Sequence, residues 1–180
     1  MSDQMGGSVL LERALAAWGE TRKHTYDLLD VLTDEQPLES FPRPLFNSFG
    51  KQLQELGVIQ KAYANAIRTG HVDYSEMAFE FDNDMIISKT KLREFLEEMD
   101  TEFVDVVRGS DPYKEIDWGL PSNPILLEHV YWLLQHEVLH HGQLAAYCYL
   151  LNIDLPTSWI EAWAFPPKDS KIVRQWLQNR

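Results

Sequence analysis

The chain has 180 residues, of which 44% are hydrophobic and 12% aromatic, so it can bury a real core and is far from a disordered composition. Its 16 lysine and arginine residues stand against 28 aspartate and glutamate residues, and the net charge of −12 argues against nucleic acid and anionic membranes as partners. With Cys148 as its one cysteine, the chain can form neither an internal disulfide nor a cysteine-based zinc site.

Targeting and membrane-spanning segments are not expected. The first 20 residues have no basic opening and no long apolar run, which does not match a secretory signal. The longest stretch without acidic, lysine or arginine residues, 138–153, contains two histidines and is too short to span a bilayer. We therefore expect a soluble cytoplasmic protein.

Apolar residues recur at three- and four-residue steps in four long segments, which is the pattern of amphipathic helices. The predicted helices cover residues 9–32, 47–68, 88–108 and 122–151. Asn47 or Ser48 is suited to cap the second helix, and Gly70 to end it. Gly109 is placed to end the third helix, and Pro124 to lie in the first turn of the fourth.

Four helices of similar length, each with one apolar stripe, pack best as a four-helix bundle. None of the predicted links is a tight hairpin, so crossover connections are allowed. The sequence thus predicts an all-α domain over residues 1–180. Residues 154–180, which carry Trp159, Trp163 and Trp176, are expected to form a short helical extension packed on the bundle. The acidic segment 76–84 is expected to be an irregular, solvated loop.

Four of the six histidines lie within 13 residues of the fourth predicted helix. His136 and His140 are four positions apart, about 40° on the helical wheel, and two imidazoles at that spacing can reach one metal ion. Hydrogen-bonded core histidines are the alternative that spacing alone leaves open. His141 is about 100° from His140 and is expected beside the site or at its rim. His129 lies two turns from His136 and is expected in the core or in a pocket wall.

A third ligand would have to come from another helix. Glu55 shares a stripe of the second predicted helix with Ile59, Ala62 and Ala66, and that stripe is otherwise apolar. Glutamates on exposed helix flanks are common, so this placement alone does not identify Glu55 as a ligand.

The segment 136–144, His-Glu-Val-Leu-His-His-Gly-Gln-Leu, resembles the last-helix signature of the DinB-like superfamily. That signature has two histidines four positions apart, followed by a basic residue, glycine, glutamine and an apolar residue. Residues 48–54, the Leu-Thr-Asp-Glu segment 32–35 and the proline-rich stretch before the second helix are similar to the family as well. The resemblance implies a four-helix bundle that binds a divalent metal, commonly through three histidines.

Carried over to this sequence, the resemblance implies a metal site formed by Glu55, His136 and His140. Glu55 stands where the family usually has histidine, and His141 where it usually has arginine. Two histidines and one carboxylate suit zinc or nickel first, with manganese and ferrous iron as further candidates. The positions of three other residues make them candidate neighbours of the ligands: His141, Gln143 and Tyr147.

Some members of the family are metal-dependent transferases that use low-molecular-weight thiols such as bacillithiol or mycothiol. The resemblance therefore implies a small-molecule substrate, with thiol transfer or a related metal-assisted transfer or hydrolysis as the reaction. It also implies a homodimer, because family members are often homodimers. Cys148 lies about 80° from His140 on the helical wheel and is expected to pack in the core, so any thiol would come from a substrate.

Two other functions stay open at this stage. The pattern His136-Glu137-x-x-His140 matches the zinc peptidase motif, with Glu137 as general base and Glu161 as a third ligand. The longer form of that motif requires glycine where this sequence has Gln143. The second alternative is a non-catalytic binding or stress-response scaffold with a structural metal.

Overall fold

The computed structural model describes residues 2–38, 47–167, 170–171 and 174–175. Its α-helices are α1 (Ser2–Val31), α2 (Phe49–Thr69), α3 (Asn83–Ile86), α4 (Lys89–Arg108), α5 (Leu126–Leu151) and α6 (Thr157–Trp163). The described residues also contain two 3-10 turns, Gln36–Leu38 and Tyr74–Met77. These parts of the chain contain no β-strand, so the predicted all-α fold and its four long helices are confirmed. No described helix is long and apolar enough to cross a membrane.

Local capping explains the ends of α2 and α4. The Ser48 hydroxyl accepts a hydrogen bond from the backbone N–H of Lys51 at the start of α2. Gly70 ends that helix with a φ of 84°, in the left-handed region that glycine enters without strain. Ser88 caps α4 in the same way as Ser48 caps α2, and Gly109 follows the last residue of α4. The predicted bounds of both helices are therefore right to within about two residues.

Helix α5 begins later than predicted, and Pro124 lies before it rather than in its first turn. The preceding loop folds back on itself, since the Ile116 N–H donates to the Pro124 carbonyl at 3.0 Å. Ile125 consequently stays extended, with a ψ of 163°. The carboxylate of Glu128 accepts the Ile125 N–H at 3.0 Å, and this contact starts the helix.

The order of the helices around the bundle differs from their order in the chain. Helix α1 packs chiefly on α5 and α4, and α2 also packs chiefly on α4 and α5. Gln60 on α2 bonds Asp100 on α4, and further along both helices Arg68 bonds Glu102, so α2 and α4 run in the same direction. Helices α1 and α5 run in the opposite direction. The 70–88 connection therefore travels the length of the bundle, as a crossover must.

A layer of polar side chains divides the core into two apolar halves. One half contains Trp18, Tyr63 and Phe103, and the other contains Phe49 and Trp159. Between them lie buried polar residues contributed by three of the long helices: Arg22, Thr25, Gln60, Glu137, His140 and His141. Buried polar groups destabilise a fold unless they are paired, so this layer is held by specific hydrogen bonds.

Helix α6 packs on the bundle, as expected for the C-terminal extension. Trp159 is fully buried, and its indole N–H donates to the His24 carbonyl at 2.8 Å. Trp163 stacks beside His24 with ring centroids 4.9 Å apart. The third tryptophan of the extension, Trp176, lies outside the described residues. The acidic 76–84 segment is largely exposed, and its last two residues begin the short helix α3.

Candidate metal centre

Three side chains meet where α5 faces α2. His136 and His140 lie on successive turns of α5, and their Nε2 atoms are 3.2 Å apart. Glu55 comes from α2 and places Oε1 3.7 Å from Nε2 of His140. One ligand atom from each of the three residues lies within 4.8 Å of the others, and within the described ranges no other histidine, cysteine, aspartate or glutamate cluster does this. The structure thus brings together the three residues that the resemblance assigned.

The two imidazoles fit a shared metal in spacing and in charge. Two nitrogens bound tetrahedrally at about 2.0–2.1 Å from a zinc ion lie about 3.3 Å apart, close to the separation found here. Burial lowers the pKa of His136 to about 4, with a smaller effect from the charge of Arg22. Burial also lowers the pKa of His140 to about 4, with a smaller effect from His136. Both rings are therefore neutral at pH 7, and each can present a lone pair.

Gln52 sets the orientation of His140. Its side chain is buried, and Oε1 lies 3.2 Å from Nδ1 of His140. Because an amide oxygen can only accept, Nδ1 carries the proton and Nε2 is left as a lone pair facing Glu55. Nδ1 of His136 is buried without a hydrogen-bond partner among the described residues, so that ring lacks the second contact that Gln52 gives to His140.

The cluster opens into a cleft of about 280 Å³. The Glu55 side chain is 29% exposed at its edge, and partial burial raises the pKa of this carboxyl group. A divalent cation would reverse that effect, because it favours the carboxylate form. The residues that line the cleft combine the three ligand candidates with amide and apolar side chains: Asn47, Gln52, Glu55, His136, Leu139, His140 and Gln143.

Comparison with known proteins identifies the family of this chain. A family model described as the DinB superfamily matches residues 17–144, which include Glu55, His136 and His140. The chain belongs to the DinB superfamily. The resemblance seen in the sequence is thereby confirmed. No curated protein matches this DinB-superfamily chain.

The three expected neighbours of the ligands occupy different places in this DinB-superfamily protein. Gln143 lines the cleft, as expected. Tyr147 is buried edge-on against Phe49, with ring centroids 5.5 Å apart, and is not among the residues that line the cleft. His141 is not at the cleft. It is buried toward α1 because one residue along a helix turns the side chain by about 100°.

The peptidase arrangement is not found. Glu137 is 1% exposed and faces α1, where the Thr25 hydroxyl donates to its Oε1 at 2.6 Å. Nε of Arg22 lies 3.4 Å from the same oxygen. Glu161 is exposed on α6 and does not join the cluster of Glu55, His136 and His140. Neither the expected base nor the expected third ligand of a zinc peptidase is in place.

The remaining histidine and the cysteine of α5 pack in the core. His129 is fully buried, with Nε2 3.1 Å from the Tyr63 carbonyl and Nδ1 accepting from the Trp118 indole at 3.3 Å. Cys148 is fully buried, and burial raises the pKa of its thiol to about 12. Both residues are where the sequence placed them, and neither lines the cleft.

Sequence reasoning missed the residues that support the site from behind. Gln52 lies three positions before Glu55 on the same face of α2, and Arg22 follows Trp18 by four positions on the buried face of α1. Polar residues on an otherwise apolar stripe are the signal that drew attention to Glu55. The same signal would have identified Gln52 and Arg22.

Proposed function

We propose that this DinB-superfamily protein binds one divalent metal ion through Glu55, His136 and His140 and uses it for thiol transfer to or from a small molecule. The observation that carries the proposal is the convergence of these three side chains at an open cleft, with His140 already oriented by Gln52. Zinc and nickel are the first candidates for the metal, followed by manganese and ferrous iron.

The open side of the site supports a reactive role over a structural one. A structural zinc site is closed by four protein ligands, whereas a reactive site keeps a position for substrate. Here three protein ligands converge, and Glu55 and His136 are both partly exposed. A bound divalent metal would supply Lewis acidity, which keeps a coordinated thiol deprotonated at neutral pH.

The cleft residues have the chemistry needed to hold a small polar substrate. Asn47 and Gln143 offer amide groups that both donate and accept hydrogen bonds, and Leu139 offers an apolar wall. We propose that the two amides orient the substrate through its polar groups. Leu139, whose side chain is exposed, shields one side of the reacting thiol from water.

Thiol transfer is favoured over hydrolysis by what the cleft contains. A base beside the metal would promote hydrolysis by taking a proton from water, but Glu137, the base expected from the sequence, faces α1. Among the described residues that line the cleft, Glu55 is the only carboxylate, and it is assigned to the metal. A thiolate is already a strong nucleophile and needs no such base. The thiol must be the substrate's, because Cys148 is buried elsewhere in the core.

Metal content tests the binding site directly. Wild type, Glu55→Ala and Glu161→Ala should be purified side by side, incubated with zinc or nickel, desalted and analysed by plasma mass spectrometry. Wild type and Glu161→Ala are expected to retain one metal ion per chain, and Glu55→Ala to lose it. Glu161→Ala is the matched control, because it removes an exposed glutamate outside the cluster. A wild type that retains no metal would refute the proposal.

Thiol consumption tests the reaction. The metal-loaded protein should be incubated with one low-molecular-weight thiol at a time and an electrophilic acceptor, with free thiol measured over time. We expect consumption that needs the metal and is lost in Glu55→Ala. If wild type binds metal but accelerates no thiol reaction, the binding site stands and thiol transfer is wrong.

A further inference from the structure

The segment 136–141 presents two pairs of side chains to two different helices. His136 and His140 face α2, whereas Glu137 and His141 face α1. Each pair is spaced by four residues, which places its members on one helix face, and the one-residue offset turns the second pair by about 100°. The metal cluster and the contact with α1 are therefore built from consecutive residues of the same two turns of α5.

A single hydroxyl on α1 joins both members of the second pair. Thr25 Oγ1 lies 2.6 Å from Oε1 of Glu137 and 2.7 Å from Nε2 of His141. Thr25 donates its one hydroxyl hydrogen to Glu137, beside which Arg22 also lies, and it therefore accepts the N–H of His141. We call these three residues and Arg22 the α1–α5 network. All four are buried.

Arg22 extends this network to the other two long helices. Its Nε lies 3.2 Å from Oδ1 of Asp100 on α4, and its Nη2 donates to Oε1 of Gln60 on α2 at 2.6 Å. Gln60 in turn donates to Asp100 at 3.0 Å. All four long helices are thus connected by directional bonds at the level of the metal cluster.

The rotation of α5 about its own axis determines where the side chains of His136 and His140 lie. A side-chain tip lies about 5–6 Å from a helix axis, so a rotation of about 20° moves it by about 2 Å. Metal–ligand distances tolerate about 0.2 Å. Apolar packing is non-directional and permits such shifts, whereas hydrogen bonds from Thr25 to two successive turns of α5 oppose them.

We propose that Thr25, Glu137 and His141 are positioning residues for the metal site. They hold the rotation of α5 so that His136 and His140 converge with Glu55, and they touch neither metal nor substrate. This inference rests on the proposed metal binding. It gives Glu137 a role that differs from the general base of a zinc peptidase.

The test compares three substitutions on one face of α1. Thr25→Val removes the hydroxyl at nearly constant volume, Thr25→Ser keeps it, and Thr21→Val makes the same change one turn earlier. The Thr21 hydroxyl bonds only the Ala17 carbonyl of its own helix, which makes it the matched control. Zinc affinity is measured by competition with a chromophoric chelator. The visible spectrum of the cobalt-loaded protein reports the geometry of the metal ligands, and urea unfolding reports the stability of the fold.

Thr25→Val is expected to weaken zinc binding about tenfold and to change the cobalt spectrum, as loss of outer contacts does at other metal sites. Thr25→Ser and Thr21→Val should keep both the affinity and the spectrum of wild type. If Thr25→Val loses stability but keeps wild-type affinity and spectrum, the network is only structural and the inference is overturned. If wild type binds no metal, the proposed function fails as well, so the two failures are distinguishable.

His141→Phe provides an independent variant in case Thr25→Val does not fold. Phenylalanine keeps an aromatic ring against Trp159, whose centroid is 4.8 Å from that of His141, and removes the bond to Thr25. Weaker zinc binding with an altered cobalt spectrum would support the inference. Unchanged affinity and spectrum would overturn it.

Discussion

Replacing Gln52 with leucine tests whether the protein orients its metal ligands in advance. The amide oxygen accepts the Nδ1–H of His140 at 3.2 Å in a buried setting. Leucine has a volume similar to that of glutamine but no hydrogen-bond acceptor. The imidazole of His140 therefore loses the contact that keeps its proton on Nδ1 and its lone pair on Nε2. Loss of such a partner reduces metal affinity by about 10–100-fold at comparable sites. That reduction corresponds to about 1.4–2.7 kcal/mol of binding free energy.

The substitution should also destabilise the metal-free fold. It leaves the Nδ1–H of His140 buried without an acceptor, which costs about 1–3 kcal/mol. A loss of stability alone could therefore be mistaken for a specific effect. Gln54→Leu is the control for this, because Gln54 is also buried on α2 and its amide oxygen accepts the Asp82 N–H at 3.1 Å, away from the cluster.

The assay is a zinc titration against a chromophoric chelator, with urea unfolding of the metal-free variants measured in parallel. Gln52→Leu should lose both affinity and stability, whereas Gln54→Leu should lose stability only. The reasoning is wrong if Gln52→Leu binds zinc as tightly as wild type under conditions in which Glu55→Ala binds none. An equal loss of zinc affinity in Gln52→Leu and Gln54→Leu would also contradict the reasoning, because general destabilisation would then explain the loss.

Three further predictions concern the bundle itself. Burial lowers the pKa of His129 to about 4, so its protonation favours the unfolded chain, and this residue alone lowers stability by about 1.4 kcal/mol per pH unit as pH drops from about 6.5 toward 4. Urea midpoints measured across this range should show a shallower slope in His129→Phe than in wild type. Gly19→Ala, in open space on α1, should stabilise the protein by about 0.5–1 kcal/mol. Gly50→Ala would press its Cβ into the Ile86 backbone and should destabilise it by about 3 kcal/mol in the same assay.

Periodicity was sufficient to predict that the four long helices exist, because each buries one apolar stripe, but α1 starts at Ser2, seven residues before the predicted start. Bounds were predicted well where a capping residue marks them. Ser48, Gly70 and Ser88 show this for α2 and α4. The start of α5 was misplaced for a different reason. Pro124 is well suited to a first helical turn, but a hydrogen bond from Ile116, eight residues earlier, holds its carbonyl in the loop instead. Contacts of this kind are tertiary and leave no local signal.

The candidate ligands were predictable to different degrees. The spacing of His136 and His140 shows that the two imidazoles can share a metal, although core histidines at the same spacing were an open alternative. Glu55 could be identified as a candidate ligand only through the family resemblance, because one glutamate on a helix flank carries little information. The role of Gln52 could be seen only in the structure, since it depends on which ring atom of His140 its side chain contacts.

The peptidase-like pattern of 136–141 shows why helical spacing alone does not identify a site. Spacing decides which residues share a face, but the packing of the bundle decides which neighbour that face meets. Helix α5 lies between α2 and α1, so His136 and His140 meet the carboxylate of Glu55 while Glu137 meets Thr25. The Thr25 hydroxyl and Arg22 hold Glu137 on the α1 side of the helix while the two histidines converge on α2, so Glu137 does not line the cleft.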